Sequence, residues 1–182
     1  MVESAAVLLR EFGASATSID RVLLHSGASR GSVYHYFPDG RSQLIGEAVE
    51  LAGDYLGRKF EAMVEVGDPV GSLDAFYESW RARLVRTGFR AGCTVAAVAV
   101  EANDDAPELA ESAAAVFGRW RGSLASLLVG GGLSEERGAR LAAMIVASLE
   151  GAIIMCRAQR STDPLDAVAG EMHDLLVCAL SS

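Results

Sequence analysis

The chain has few of the residues on which most small catalysts and secreted scaffolds depend. Among 182 residues there are three cysteines and three histidines. Cys93, Cys156 and Cys178 are odd in number, far apart and set in apolar surroundings, which argues against a disulfide framework or a zinc site. Each reads as a small buried hydrophobe; a redox-sensing thiol is the alternative, since Arg90 lies near Cys93 and Arg157 beside Cys156. Two of the histidines, His25 and His35, fall in the first forty residues, and the third is His173. With no Gly-x-Ser-x-Gly, phosphate loop or His-Glu-x-x-His, no enzyme is expected, and neither a metal nor a cofactor. Gly130-Gly131-Gly132 follows no strand and precedes no Lys-Ser or Lys-Thr, so it reads as a helix-helix turn. No alternating run of Val, Ile and Thr persists, which excludes a sheet and leaves an all-α fold. The most apolar run, Leu141 to Cys156, is interrupted by Ser148, Glu150 and Gly151 and falls short of the roughly 20 residues a membrane span needs. No signal peptide is expected before the first helix, and a cytoplasmic location follows.

Positive charge is also short. The formal net charge is -8, but it is unevenly spread. Residues 1–45 carry four arginines against four acids, whereas residues 46–182 carry twelve basic against twenty acidic side chains. A polyanionic partner would therefore meet the first 45 residues, and its sequence-independent attraction would be weak, because phosphate neutralisation supplies most nonspecific affinity.

Within that balanced segment, Thr17 precedes an apolar set at Ile19, Val22 and Leu23, with Asp20 three residues on, a pattern that opens a short capped helix. Gly27 sits where a helix must stop in a left-handed turn, and Ser29 is placed to cap the next helix. In that next helix Val33 and Phe37 share one face at i, i+4 and can bury against Ile19 and Val22. Arg30, Ser32, Tyr34, His35 and Tyr36 are left to project elsewhere, and Gly31 allows close backbone approach. A short polar and aromatic helix presented at its N-terminus suits the major groove: Arg reads guanine, Ser adapts to donors or acceptors, and a Tyr ring touches a thymine methyl. A plain three-helix packing unit is the alternative reading.

These residues, from Thr17 through the Gly27 turn to Tyr34-His35-Tyr36-Phe37, resemble the DNA-binding domain of the tetracycline-repressor (TetR) family over about the first sixty residues. The stretch Phe37-Pro38-Asp39-Gly40-Arg41-Ser42-Gln43-Leu44 looks like the family's link into a long fourth helix, in which a Lys usually meets a phosphate; Arg41 takes that place. One extra residue in the link, the Pro-Asp-Gly turn, is similar to the branch containing lincosamide-responsive and flavonoid-responsive repressors. The chain starts almost directly on its first helix without the basic arm many relatives carry, so fewer phosphate contacts are expected. The resemblance implies an N-terminal three-helix helix-turn-helix domain, residues 1–45, and a larger helical effector-binding and dimerisation domain, residues 46–182. Arg30, Gly31, Ser32, Tyr34 and His35 are expected near bases, and Thr17, Arg21, Tyr36 and Arg41 near phosphates. A ligand-responsive regulator, a repressor released from a pseudo-palindromic operator, is the implied function; a helical protein-interaction module with a non-functional head is the rival.

Beyond the head, breakers divide the chain into helices near 41–65, 69–87, 91–103, 105–129, 134–159 and 163–180. Asp163-Pro164 reads as cap and first-turn proline, and Ser134 opens a helix with Glu135 and Glu136 favourable to its dipole. That helix, with Leu141, Met144, Ile145, Leu149, Ile153 and Ile154, is apolar almost all round and must be covered on several sides. The last helix, with Leu165, Val168, Met172, Leu175, Leu176 and Leu180, can cover one of them. In the TetR family the resemblance implies a four-helix dimer bundle made by these two helices and their copies.

Aromatic residues scattered over the middle helices can wall a cavity for a small hydrophobic or aromatic effector. Phe60, Met63, Phe76, Trp80, Phe117, Trp120 and Met144 are the candidate lining, with ordinary core packing the alternative for Trp80, Trp120, Met63 and Met144. Glu101, near the helix end at Asn103, and Glu150, inside an apolar helix, are carboxylates that need a partner if buried. Glu101 is the candidate ligand anchor, against a solvent-facing or cap-like role.

Overall fold

The computed structural model describes residues 1–101 and 106–181, and those residues are almost entirely helical. The order is α1 (Val2–Phe12), α2 (Ile19–Ser26), α3 (Arg30–Tyr36), α4 (Gly40–Val66), α5 (Pro69–Arg86), α6 (Thr94–Glu101), α7 (Pro107–Gly130), α8 (Glu135–Gln159) and α9 (Asp163–Leu180). The chain forms two compact units: Met1–Tyr55 with Gly92–Phe117, and Leu56–Ala91 with Gly118–Ser182.

Local chemistry sets most boundaries. Asp68 accepts from the Gly71 N–H at 3.0 Å ahead of Pro69, and Ser134 accepts from the Arg137 N–H at 3.3 Å, so both helices start on a side-chain cap. Two expected caps are displaced by one residue. Ser18 rather than Thr17 caps α2, accepting from the Arg21 N–H at 3.2 Å. Thr162 rather than Asp163 is the N-cap residue of α9, its hydroxyl donating to Asp166 at 2.8 Å, and Asp163 already lies inside the helix. The short α6 begins three residues later than expected, because the Gly92 N–H is drawn to the Arg10 carbonyl at 2.8 Å. The expected helix end at Asn103 lies outside the described residues.

In the first unit the core is built from Ala5, Leu8 and Leu9 of α1, Val22, Val33 and Phe37 of the helix-turn-helix, Leu44, Ile45, Ala48 and Val49 of α4, and Val95 and Val98 of α6. α1 packs against both α2 and α6. In the second unit α9 packs against α8 and α5. Leu141, Ala142, Ile145, Leu149, Ile153 and Cys156 of α8 are buried there, as are Leu165, Met172 and Leu176 of α9. By length and composition α8 is sufficient to cross a membrane: it runs for 25 residues with a mean hydropathy of 1.7 over its most apolar window. The apolar run alone had appeared too short. In the fold 44% of that window is buried by packing.

Cys93 and Cys156 are buried, as expected, but Cys178 is exposed near the end of α9. Burial pushes the Cys156 thiol up, against a smaller opposing effect from the Leu165 backbone and with the nearby Asp166 and Asp163 charges adding to the rise.

The tightest aromatic packing in the second unit centres on Phe60, whose ring lies 5.0 Å from that of Phe76 and 6.2 Å from that of Trp120. Phe60→Ala should cost about 3–5 kcal/mol, the usual range for truncating a buried Phe. The exposed Val66→Ala on the same helix should stay within about 0.5 kcal/mol. Urea unfolding of the two variants beside wild type measures both.

Candidate nucleic-acid interface

The reader is α2, a tight turn and α3. Gly27 takes φ 72°, ψ 9° and returns its N–H to the Leu23 carbonyl, which ends α2 in the left-handed region that a side chain disfavours. Ser29 occupies the cap position of α3 in extended backbone, yet its hydroxyl bonds Ser32 Oγ at 2.8 Å instead of a backbone amide. Val33 and Phe37 are buried, as is Val22 across the turn. At 3.6 residues per turn this leaves Gly31 and His35 diametrically outward, Arg30 and Tyr34 on one flank, and Ser32 and Tyr36 on the other. Tyr34 and Tyr36 are 70% and 64% exposed, which for rings of this size leaves apolar surface waiting for contact. The His35 and Tyr36 rings meet edge to face at 4.8 Å. Arg30 is ion-paired to Asp20 of α2.

Two expected phosphate contacts, Thr17 and Arg41, are engaged inside the protein, and a third, Arg21, rests against a ring. Thr17 is 1% exposed and donates its hydroxyl to the Gly13 carbonyl at 2.7 Å, so it is a core residue of the α1–α2 turn; the exposed Ser18 stands beside it. Arg41 turns inward, its Nε donating to the Thr17 carbonyl at 3.0 Å and its Nη2 to that of Ala14. The Arg21 guanidinium sits 3.9 Å from the centre of the Phe12 ring and donates to the Ala16 carbonyl at 3.3 Å.

The same turn is gripped from the opposite side. Glu101, at the end of α6, accepts from the Ala14 N–H at 2.9 Å and the Ser15 N–H at 2.6 Å. Gly13 has φ 86°, and a Cβ there would collide with the Glu101 carboxylate. Thr94, at the start of α6, donates to the Ala6 carbonyl at 3.1 Å. Glu101 thus has the cap-like role, on the backbone of a turn rather than on a ligand. Partial burial raises its pKa, but the Ser15 and Ala14 hydrogen bonds and the Arg41 charge outweigh it and hold the carboxyl below its ordinary value. Sequence spacing had no means of finding this contact, which joins residues more than eighty positions apart. The Asp20 partner of Arg30 also went unnoticed; the only signal was an acid and a base ten positions apart across a turn.

The candidate pocket residues do not converge as a set. Phe60, Phe76, Trp80 and Trp120 are buried in the second unit, the first three among the core side chains of α4 and α5. Met63 and Phe76 line a groove of about 330 Å³ between α4 and α5, with Lys59, Val66 and Ser79. Met144 lines a separate groove of about 470 Å³ with Ser148, Val168, Met172 and Leu175. Glu101 and Phe117 belong to the first unit. Tyr77 is buried on α5, and burial pushes its phenol up to about 12, an effect that the neighbouring Ser148 partly offsets.

A helix-turn-helix head with an exposed polar-aromatic second helix, followed by a larger helical region, defines a DNA-binding regulator. Residues 2–48 match the model of the bacterial regulatory proteins of the tetR family, and residues 69–171 match that of the LmrA/YxaF-like transcriptional regulator C-terminal domain. The HTH-type transcriptional regulator Rv0196 of Mycobacterium tuberculosis is 46% identical over 187 residues, covering 99% of this chain and 94% of that protein. The Bacillus subtilis HTH-type regulator LmrA is 27% identical, over 97% of this chain and 94% of its own length. Among solved structures, the regulatory protein TetR from Rhodobacter sphaeroides superposes with a TM-score of 0.85 at 25% identity, covering 95% of each chain. The chain belongs to the TetR family of transcriptional regulators, proteins that bind operator DNA and dimerise and are not enzymes.

Because the native Glu101 carboxyl titrates below its unfolded value, its contribution to stability is complete above the ordinary carboxylate range. That contribution is lost as pH falls through the range to the native value. Glu101→Gln should therefore lower the melting temperature at neutral pH, with the gap to wild type closing below about pH 4. Thermal melts of both proteins across that range provide the check.

Proposed function

We propose that this regulator is a ligand-responsive repressor, released from a pseudo-palindromic operator when a hydrophobic or aromatic small molecule fills its helical domain. Residues 1–45 form the reading head and residues 46–182 the effector-binding and dimerisation domain. Arg30, Gly31, Ser32, Tyr34 and His35 face the bases. Tyr36 and Arg21 serve the phosphates, joined by Ser18 in place of the buried Thr17. The observation that carries this reading is the outward face of α3, rich in donors and rings, on a helix whose opposite face is fixed by Val33 and Phe37.

Dimerisation through α8 and α9 is supported by the apolar side chains left exposed there, Met144, Ile154 and Met155 on α8 and Val177 on α9. A two-fold pair would set the two reading helices about 34–36 Å apart, one turn of duplex. Effector contacts are assigned to Met63 and Phe76, which share one groove with Phe60 packed on Phe76; Trp80, Phe117, Trp120 and Met144 are not brought to that groove. Glu101 is withdrawn as an anchor, because its carboxylate is spent on the α1–α2 turn. That contact supplies a second arm for transmission beside α4, since a shift of α6 would pull on the backbone that leads into the reader. A coupling of about 1–3 kcal/mol suffices for tens-fold induction. Such a protein works in the cytoplasm, with no membrane partner.

Selection from randomised duplex DNA should enrich a two-fold-related sequence, with sedimentation giving a dimer. On that sequence Arg30→Ala should cost about 1–3 kcal/mol and relax one base position. Arg21→Ala should weaken all duplexes alike and flatten the salt slope by about one. Equal affinity for enriched and random DNA at physiological salt would refute specific operator binding. A panel of aromatic effectors that stabilise the fold yet leave operator affinity unchanged would refute induction.

A further inference from the structure

We infer that Asp20 is a specificity-determining residue, a carboxylate that positions the Arg30 guanidinium for guanine. The inference rests on the reading of Arg30 as a base contact and deepens it. Arg30 is the first residue of α3 and Asp20 lies in the first turn of α2, and their side chains form an ion pair between Nη2 and Oδ1. Both side chains are about two-thirds exposed, 66% for Arg30 and 70% for Asp20. Pairs so open to water add little to folding stability. The consequence of the contact is instead directional. An unrestrained arginine at this position would sweep a wide cone and fall to the nearest phosphate oxygens. Held by Asp20, its side chain has fewer conformations to lose on binding.

The donor geometry supports this division of labour. A guanidinium offers five N–H groups in a rigid fork. Asp20 occupies one hydrogen of Nη2, and the other Nη2 hydrogen stands beside an N–H of Nη1 or of Nε, which leaves one side-by-side pair. That pair matches O6 and N7 of guanine, the two acceptors an arginine reads together. Asp20 also places a negative charge in the head, where it repels phosphate. Its removal would strengthen sequence-blind attraction while loosening the readout, so affinity and discrimination are set against each other at one side chain.

The test uses the duplex enriched by wild-type protein from a randomised pool, the same duplex with each guanine replaced in turn, and a random duplex. Asp20→Ala should lower the ratio of affinities for the parent and the Arg30-dependent guanine replacement by about fivefold to tenfold, part of what an arginine–guanine pair supplies. It should leave binding to random DNA equal or tighter. Asp20→Asn, which keeps an acceptor toward Arg30, should recover part of the ratio. In an Arg30→Ala background, Asp20→Ala should change the ratio no further. A ratio unmoved by Asp20→Ala, or raised by it, while Arg30→Ala lowers it overturns the inference and leaves the reading of Arg30 intact. If Arg30→Ala itself spares every guanine while operator binding persists, the underlying reading fails and the inference falls with it. Melting temperatures of the variants within a degree or so of wild type confirm that the ratios report on recognition.

Discussion

The geometry of the reading head depends on how the six residues between α1 and α2 are held. A turn of this length has amides and carbonyls that helices cannot satisfy, and buried backbone groups left unpaired cost free energy comparable to a lost hydrogen bond. Here the amides of Ala14 and Ser15 go to Glu101, and the carbonyls of Ala14 and Thr17 go to Arg41. Thr17 closes back on Gly13 from inside. One carboxylate and one guanidinium, from α6 and α4, thus supply four hydrogen bonds to a single loop. The direction in which α2 and then α3 leave the loop follows from that enclosure.

This arrangement explains which features could be read from sequence. Much of what neighbours within one or two turns govern is legible: Gly27 as a helix stop, Ser134 as a cap, the burial of Val33 and Phe37, and an all-helical pattern with breaks after 65, 129 and 159. The resemblance from Thr17 to Phe37 then supplied the family. What failed was tertiary. Thr17 and Ser18 are adjacent and both can cap, and only the demand for a hydroxyl inside the turn sends Thr17 inward. Arg41 sits where a phosphate contact was expected, but the carbonyls beside it claim its fork first. Glu101 ends an apolar helix, where a cap-like role and a ligand anchor read alike, because its partners are backbone amides, which leave no mark in a sequence.

Aromatic content misled in a milder way. Rings spread over several helices are what a cavity wall needs, but they are also what a dense core needs. Phe60, Phe76 and Trp120 satisfy one another at ring distances of 5.0 and 6.2 Å, whereas Met63 and Met144 border two different grooves. The phenol buried among them, that of Tyr77 on α5, leaves no separate signal in spacing, since a tyrosine on an amphipathic helix is usually half wet.

The head also includes α6, whose first and last residues are bonded to the Ala6 carbonyl and to the Ala14 and Ser15 amides, while Gly92 just before it meets Arg10. A fragment ending at residue 45 would keep the residues proposed to touch DNA, and Arg41, but would lose Glu101, the partner of the Ala14 and Ser15 amides. Swapping heads between relatives by joining chains at the start of α4 would likewise bring one protein's loop against another protein's acid. The compact unit that carries the helix-turn-helix is discontinuous, residues 1–55 together with 92–117, and grafts drawn along the linear order would inherit the reading helix without the scaffold that holds its turn.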